Sequence, residues 1–156
     1  MKIKLLVMDV DGTLTDGKIY VSSSGECMKA FNVKDGYAIA NLKKHGITPV
    51  IITGRSSEIV IQRAKELHIN ELHQGIVDKL SKLKEIAQLY DANPSEIAYI
   101  GDDLNDLDCI NYCGVTACPN DGVDEVKNSV VYVCKNNGGK GAVREFIEYI
   151  INGVKA

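Results

Sequence analysis

The chain has 156 residues, 45% hydrophobic and 25% charged, enough to bury the core of a single domain (1–156) without disulfides or a structural metal. Its net charge of −3 includes no Lys/Arg block, which argues against nucleic acid or an anionic membrane as partner. No run approaches the roughly 20 apolar residues that span a bilayer. The five cysteines, odd in number and without a C-x-x-C pair, read as small core residues of a reduced, cytoplasmic protein.

The opening Met1-Lys2-Ile3-Lys4 and the apolar residues after it imitate a secretory leader only briefly, because Asp9 cuts the run. Residues 3–10 read as a buried strand. Residues 18–22 and 27–33, separated by Ser23-Ser24-Gly25-Glu26, read as a β-hairpin spanning about 17–33. Residues 35–44 form a helix with Ala38, Ile39 and Leu42 on one side, ended by Gly46. Residues 47–53 are a continuous apolar strand, followed by Gly54-Arg55-Ser56-Ser57, where Ser57 caps a helix running to residue 67.

Residues 71–74 make a weak short strand closed by Gly75. A helix over 79–90 carries Leu80, Leu83, Ile86, Ala87 and Tyr90 at helical spacing. After Asn93-Pro94 come a strand at 97–100, the run Gly101-Asp102-Asp103, and a helix to residue 112. Short edge strands at 115–117 and 130–133 and a last helix at 141–151 complete the pattern. Strands alternating with helices indicate an α/β fold, a parallel central sheet flanked by helices.

The polar residues fall in one consistent place. Asp9 and Asp11, Thr53, and Asp102 with Asp103 each sit at the C-terminal end of a predicted strand, the edge where open α/β sheets bind ligands. Two carboxylates at the end of a buried strand repel each other unless a cation neutralises them or they divide acid and base roles. Hard Mg²⁺ with a phosphate is the usual partner of such oxygen-rich sites. Asp9 can then attack phosphorus to form an aspartyl phosphate, while Asp11 protonates the leaving alcohol and later deprotonates water. Mg²⁺ would be held by Asp9, the backbone carbonyl of Asp11, and Asp102. Thr53 and the N–H groups after it serve the phosphate oxygens, and Lys79 the nucleophilic carboxylate and the phosphoryl group.

Asp9-x-Asp11-Gly12-Thr13, Ile51-Ile52-Thr53-Gly54-Arg55, Lys79 and Gly101-Asp102-Asp103-x-x-Asp106 resemble, in order and spacing, the four motifs of the haloacid dehalogenase superfamily. Four further stretches resemble its small capless sugar-acid phosphatases, of the 3-deoxy-D-manno-octulosonate (KDO) 8-phosphate phosphatase type. They are Leu14-Thr15-Asp16-Gly17, Phe31-Asn32-Val33-Lys34-Asp35-Gly36, Gln74-Gly75, and Gly138-Gly139-x-Gly141-Ala142-Val143-Arg144-Glu145. The resemblance implies a Rossmann-like fold with a protruding hairpin and no cap domain. It also implies a homotetramer in which the hairpins form a barrel and neighbours close each active site.

Carried over by motif, Asp11, Asn32, Val33, Lys34, Asp35, Gly36, Arg55, Arg63 and Lys79 contact a sugar-acid phosphate. Asp103 supports the metal site from behind, and Asp106 orders Lys79 or its loop. Arg55 suits a sugar carboxylate and tilts the substrate toward KDO 8-phosphate, since relatives acting on nine-carbon sialic-type 9-phosphates tend to carry an acid there. Only residues 152–156 are available as the tail that in some relatives reaches a neighbouring active site.

Asp9-x-Asp11-Gly12 does not fit an EF-hand, which needs glycine at its sixth position and glutamate at its twelfth, where this chain has Leu14 and Tyr20. Gly138-Gly139-Lys140-Gly141 fits no phosphate-loop fingerprint and reads as a helix-entry turn. A phospho-acceptor receiver domain would carry its adjacent acids on the first strand, whereas here they come late. A non-catalytic tetramerisation domain of the same fold would lack the catalytic residues that this chain retains.

Overall fold

The computed structural model describes residues 2–153; residues 154–156, part of the tail considered above, lie outside the described residues. Six parallel strands form one sheet: β1 (Leu5–Met8), β4 (Thr48–Ile52), β5 (Glu71–His73), β6 (Ile97–Ile100), β7 (Val115–Cys118) and β8 (Tyr132–Val133). Their order is β5-β4-β1-β6-β7-β8, so β1 lies near the middle, with later strands added first on one side and then on the other. The inner strands β1 and β6 read LLVM and IAYI because helices cover both faces, leaving no solvent side for alternating polar residues.

Those helices divide the core in two. Leu6, Met8, Ile51, Ala98 and Ile100 pack under α1 (Val33–Ala40), α2 (Glu58–Glu66) and α6 (Ala142–Ile151). Leu5, Val7, Val50, Ile52 and Tyr99 pack under α3 (Lys79–Leu89) and α4 (Leu107–Tyr112), with Val126 of the short α5 (Asp124–Lys127). Successive residues of β1 thus belong to opposite layers, as the period of two of a strand requires.

Between β1 and α1 the chain makes only a separate two-stranded antiparallel hairpin, β2 (Tyr20–Ser22) and β3 (Gly25–Met28). Its strands are shorter than the sequence pattern predicts. Ser22 pairs with Gly25, leaving a two-residue loop, and the ladder stops at Met28 rather than running to Val33. Asn32 ends the extended stretch because its side chain accepts from the N–H groups of Lys34 and Asp35 and so caps α1. The predicted helix 35–44 begins two residues earlier, at Val33, and after Ala40 continues as a tight 3₁₀ turn, Leu42–His45, ended by Gly46. Ser57 stands at the N-cap of α2, but its hydroxyl donates 2.7 Å to Glu26 of the hairpin instead of capping.

Candidate active site

The ends of β1, β4 and β6 converge because parallel strands bring all their C-terminal loops to one edge. A cleft of about 160 Å³ opens there, lined by Asp9, Asp11, Thr53, Gly54, Arg55, Asp103 and Asn105. The loop after β1 is drawn tight by the N–H groups of Thr13, Leu14 and Thr15, all donating to the Val10 carbonyl. Gly12 sits in that loop at φ 90, where a Cβ would overlap the Asp102 carboxylate. Behind the loop packs Gly138, where a Cβ would overlap the Gly12 carbonyl oxygen, and the Gly139 N–H donates to the Thr13 carbonyl at 3.2 Å. The stretch expected only to open the last helix is therefore also the back wall of the Asp9–Asp11 loop.

Lys79, the first residue of α3, is buried beneath the cleft, its Nζ 3.1 Å from Asp9 Oδ1 and 2.9 Å from Asp106 Oδ1. Asp106 is a hub: Oδ1 also accepts from the buried Tyr99 hydroxyl at 2.6 Å, and Oδ2 from the N–H groups of Asp102 at 3.0 Å and Asp103 at 3.2 Å. Thr13 Oγ1 donates to Asp102 Oδ1 at 2.9 Å. Asp103 caps the turn Leu104–Asp106 with its own carboxylate.

The charges in this cluster do not balance. Burial pushes the Asp9 carboxyl up, the Asp106 charge adds to that, and Lys79 offsets only part of it, leaving Asp9 at about 6. Asp102 is pushed up to about 8, first by burial and then by the neighbouring Asp9. Burial pulls Lys79 down, but Asp9 and Asp106 outweigh it and hold its ammonium above the ordinary lysine value.

Asp9, Asp102 and Asp106 each offer a carboxylate oxygen within 4.8 Å of the others. Asp106 is saturated by its four donors, so Asp9 and Asp102 are the pair left to receive a cation. An all-oxygen donor set with surplus negative charge fits a hard divalent ion.

A family model described as haloacid dehalogenase-like hydrolase matches residues 69–147, half of the chain. The KDO 8-phosphate phosphatase KdsC of Yersinia pestis is 41% identical over 149 residues, covering 96% of this chain and 80% of that protein. The chain belongs to the haloacid dehalogenase-like hydrolases. A Moraxella catarrhalis KDO 8-phosphate phosphatase, solved with magnesium, phosphate and KDO, is 44% identical and superposes with a TM-score of 0.93, covering 96% of this chain and 86% of that one. The cobalt-bound Haemophilus influenzae deoxy-D-mannose-octulosonate 8-phosphate phosphatase is 35% identical with a TM-score of 0.94, covering 97% of this chain and 88% of that one.

In this hydrolase the remaining predicted site residues divide. Arg55 reaches the cleft, its Nε 3.8 Å from Asp11 Oδ2 and its Nη2 3.4 Å from Glu26 Oε2. Asn32, Val33, Lys34, Asp35, Gly36 and Arg63 do not line it. Arg63 folds back toward the start of α1, donating to Glu66 at 3.0 Å and to the Asn32 carbonyl at 3.4 Å, with its guanidinium over the Phe31 ring. Asp35, also expected to meet substrate, is 2% exposed: Oδ1 accepts from the Arg144 N–H at the start of α6, and Oδ2 has no hydrogen-bond partner among the described residues. A carboxylate at a helix N-terminus satisfies an otherwise orphaned donor, which is work inside the fold.

Sequence reasoning missed Asn105, Tyr99, Glu26 and Lys29. Asn105 lies within the Gly101–Asp106 motif and could have been noticed there. The other three have no local signal.

Proposed function

We propose that this protein is a Mg²⁺-dependent phosphomonoesterase of a sugar-acid phosphate, hydrolysing KDO 8-phosphate to KDO and inorganic phosphate. The observation that carries the reading is the meeting of Asp9, Asp11, Thr53 and Arg55 in one cleft above Lys79 and Asp102. The relatives named for that reaction, and matched along 96% of this chain, support it.

Asp9 attacks phosphorus as the ester P–O bond breaks, and Asp11 gives its proton to the departing sugar oxygen. A water then attacks the aspartyl phosphate, passing a proton to Asp11 and releasing inorganic phosphate. Lys79 holds the Asp9 carboxylate in place, and Thr53 with the N–H groups that follow it binds phosphoryl oxygens. Asp9, Asp102 and the Asp11 carbonyl would hold Mg²⁺, which would supply positive charge against the phosphoryl oxygens. Arg55, more than half exposed at the cleft rim, is the partner for the sugar carboxylate.

The chain acts as one catalytic domain without a cap, and as a homotetramer in the cytoplasm. Support for assembly comes from the hairpin and the helix that follows it, where Val21 and Met28, then Val33 and Tyr37, are all more than half exposed and call for cover. Asn32, Val33, Lys34, Asp35, Gly36 and Arg63 lie off their own cleft, and the family resemblance makes them contacts to the substrate of a neighbouring subunit. No helix among the described residues is long and apolar enough to cross a membrane.

A Mg²⁺-supplemented phosphate-release screen tests the substrate. KDO 8-phosphate should give a higher kcat/KM than nine-carbon sialic-type acid 9-phosphates and hexose phosphates. A clear win for a nine-carbon acid moves the assignment to that substrate, and one for hexose phosphates overturns the sugar-acid reading.

A further inference from the structure

A lysine side chain is rarely sealed from water unless it is paired, and Lys29, just beyond β3, is 2% exposed at its side chain. Its Nζ lies 2.6 Å from Asp11 Oδ1 and 3.0 Å from Glu26 Oε2. The bland account makes it a staple tying the hairpin down through Glu26. Glu26, however, is already tied to the loop after β4 by the Ser57 hydroxyl at 2.7 Å and Arg55 at 3.4 Å. The shorter of Lys29's two contacts goes to Asp11, whose one other charged contact among the described residues is Arg55 at 3.8 Å. Without Lys29, the Asp11 side chain would have no close hydrogen-bond partner among the described residues.

We propose that Lys29 is a positioning residue that hooks Oδ1 of Asp11 and leaves Oδ2 as the oxygen that carries the proton. This rests on the phosphatase reading above and deepens it. In the first half-reaction the proton passes from Asp11 Oδ2 to the leaving oxygen as the P–O ester bond breaks. In the second, the attacking water gives its proton to the same Oδ2 as the Asp9–phosphorus bond breaks. Oδ1 stays on the Lys29 ammonium throughout, so a single rotamer serves both steps and no side-chain search precedes either transfer. The hairpin therefore contributes to the chemistry as well as to assembly.

The test exploits leaving groups. A sugar alkoxide needs an acid to depart, whereas p-nitrophenolate departs unaided, and both pathways need the base to hydrolyse the aspartyl phosphate. Lys29→Met should lower kcat for KDO 8-phosphate by about 10²-fold, the lower range of general acid–base contributions, with KM little changed. With p-nitrophenyl phosphate the same variant should release a burst of one nitrophenolate per active site and then turn over slowly. Lys18→Met, which removes an exposed hairpin charge, should show neither effect.

Glu26→Gln should lower the melting temperature without producing the burst, which separates hairpin stapling from positioning. Should Lys29→Met not fold, Lys29→Gln carries the same comparison. Equal losses on both substrates without a burst, a rise in KM alone, or wild-type kinetics would each overturn the proposal. Failure of the wild type to hydrolyse either substrate would instead sink the phosphatase reading itself.

Discussion

Replacing Asp106 by asparagine removes a charge and also mismatches half of the hydrogen bonds around it. Oδ1 accepts from Lys79 Nζ and the Tyr99 hydroxyl, and Oδ2 from the N–H groups of Asp102 and Asp103. An amide has one accepting oxygen and one donating nitrogen, so in either orientation its NH₂ faces two donors. Each buried donor left without an acceptor costs roughly 1–3 kcal/mol, which puts Asp106→Asn near 4 kcal/mol. For a chain of this size, each kcal/mol lowers the melting temperature by about 2–4 °C, so the variant should melt about 8–16 °C below wild type. Thermal and urea unfolding at neutral pH measure this directly. Tyr99→Phe, which removes one donor and leaves the other three satisfied, should cost only about 1 kcal/mol. A melting temperature for Asp106→Asn within about 2 °C of wild type would refute the shared-acceptor account of this site.

Asp9 and Asp102 titrate above their ordinary value of 3.8 in the metal-free protein, so folding favours their protonated forms. The stability they contribute is present below about pH 4 and is lost as pH rises through about 6 and about 8. Metal-free protein should accordingly melt lower at pH 8 than at pH 5, and a fixed concentration of Mg²⁺ should raise the melting temperature more at the higher pH, the stabilisation reaching about 2.7 kcal/mol at 100 times Kd. A melting temperature indifferent to Mg²⁺ at both would count against the site. Asp9→Asn should abolish phosphate release and, without metal at pH 8, melt above wild type; retained turnover would remove Asp9 as nucleophile. Gly138→Ala should cost about 1–3 kcal/mol and lower kcat, because its methyl meets the Gly12 carbonyl and pushes the Asp9–Asp11 loop; a neutral effect in denaturant titration would show that the loop yields freely.

Glu145 is pushed up by burial, but the N–H groups of Lys135 and Asn136, with the Tyr132 hydroxyl, outweigh this and hold it below its ordinary 4.5. Its contribution is therefore present above that value and lost as pH falls through the lower, folded one. Glu145→Gln should be destabilised at pH 7 by about 1–2 kcal/mol, with the gap to wild type closing in acid.

Much of this molecule is readable from local pattern. The unbroken apolar runs of β1, β4 and β6 announce strands buried on both faces, and the residue after each run places Asp9, Thr53 and the Gly101–Asp102 turn at one sheet edge. Residues 27–33 misled because their extended character continues past the ladder. Whether Asn32 extends a strand or caps a helix depends on the direction the chain takes next, which a strand pattern does not encode. The partner of Asp35 is hidden for a related reason: a motif places it beside other polar residues, and only the approach of α6 brings the Arg144 N–H to its carboxylate.

The sequence by itself determined the class of sheet, the edge at which the acids gather, and the need for a cation, because strand periodicity and carboxylate repulsion act over a few residues. The tertiary structure decided which partner each acid takes. Lys29 finds Asp11 across 18 residues, Lys79 finds Asp9 across 70, and Ser57 gives up its cap for Glu26 across 31. A buried polar atom must be paired wherever its partner lies along the chain, and the packing of the hairpin and α3 against the sheet brings those partners within reach.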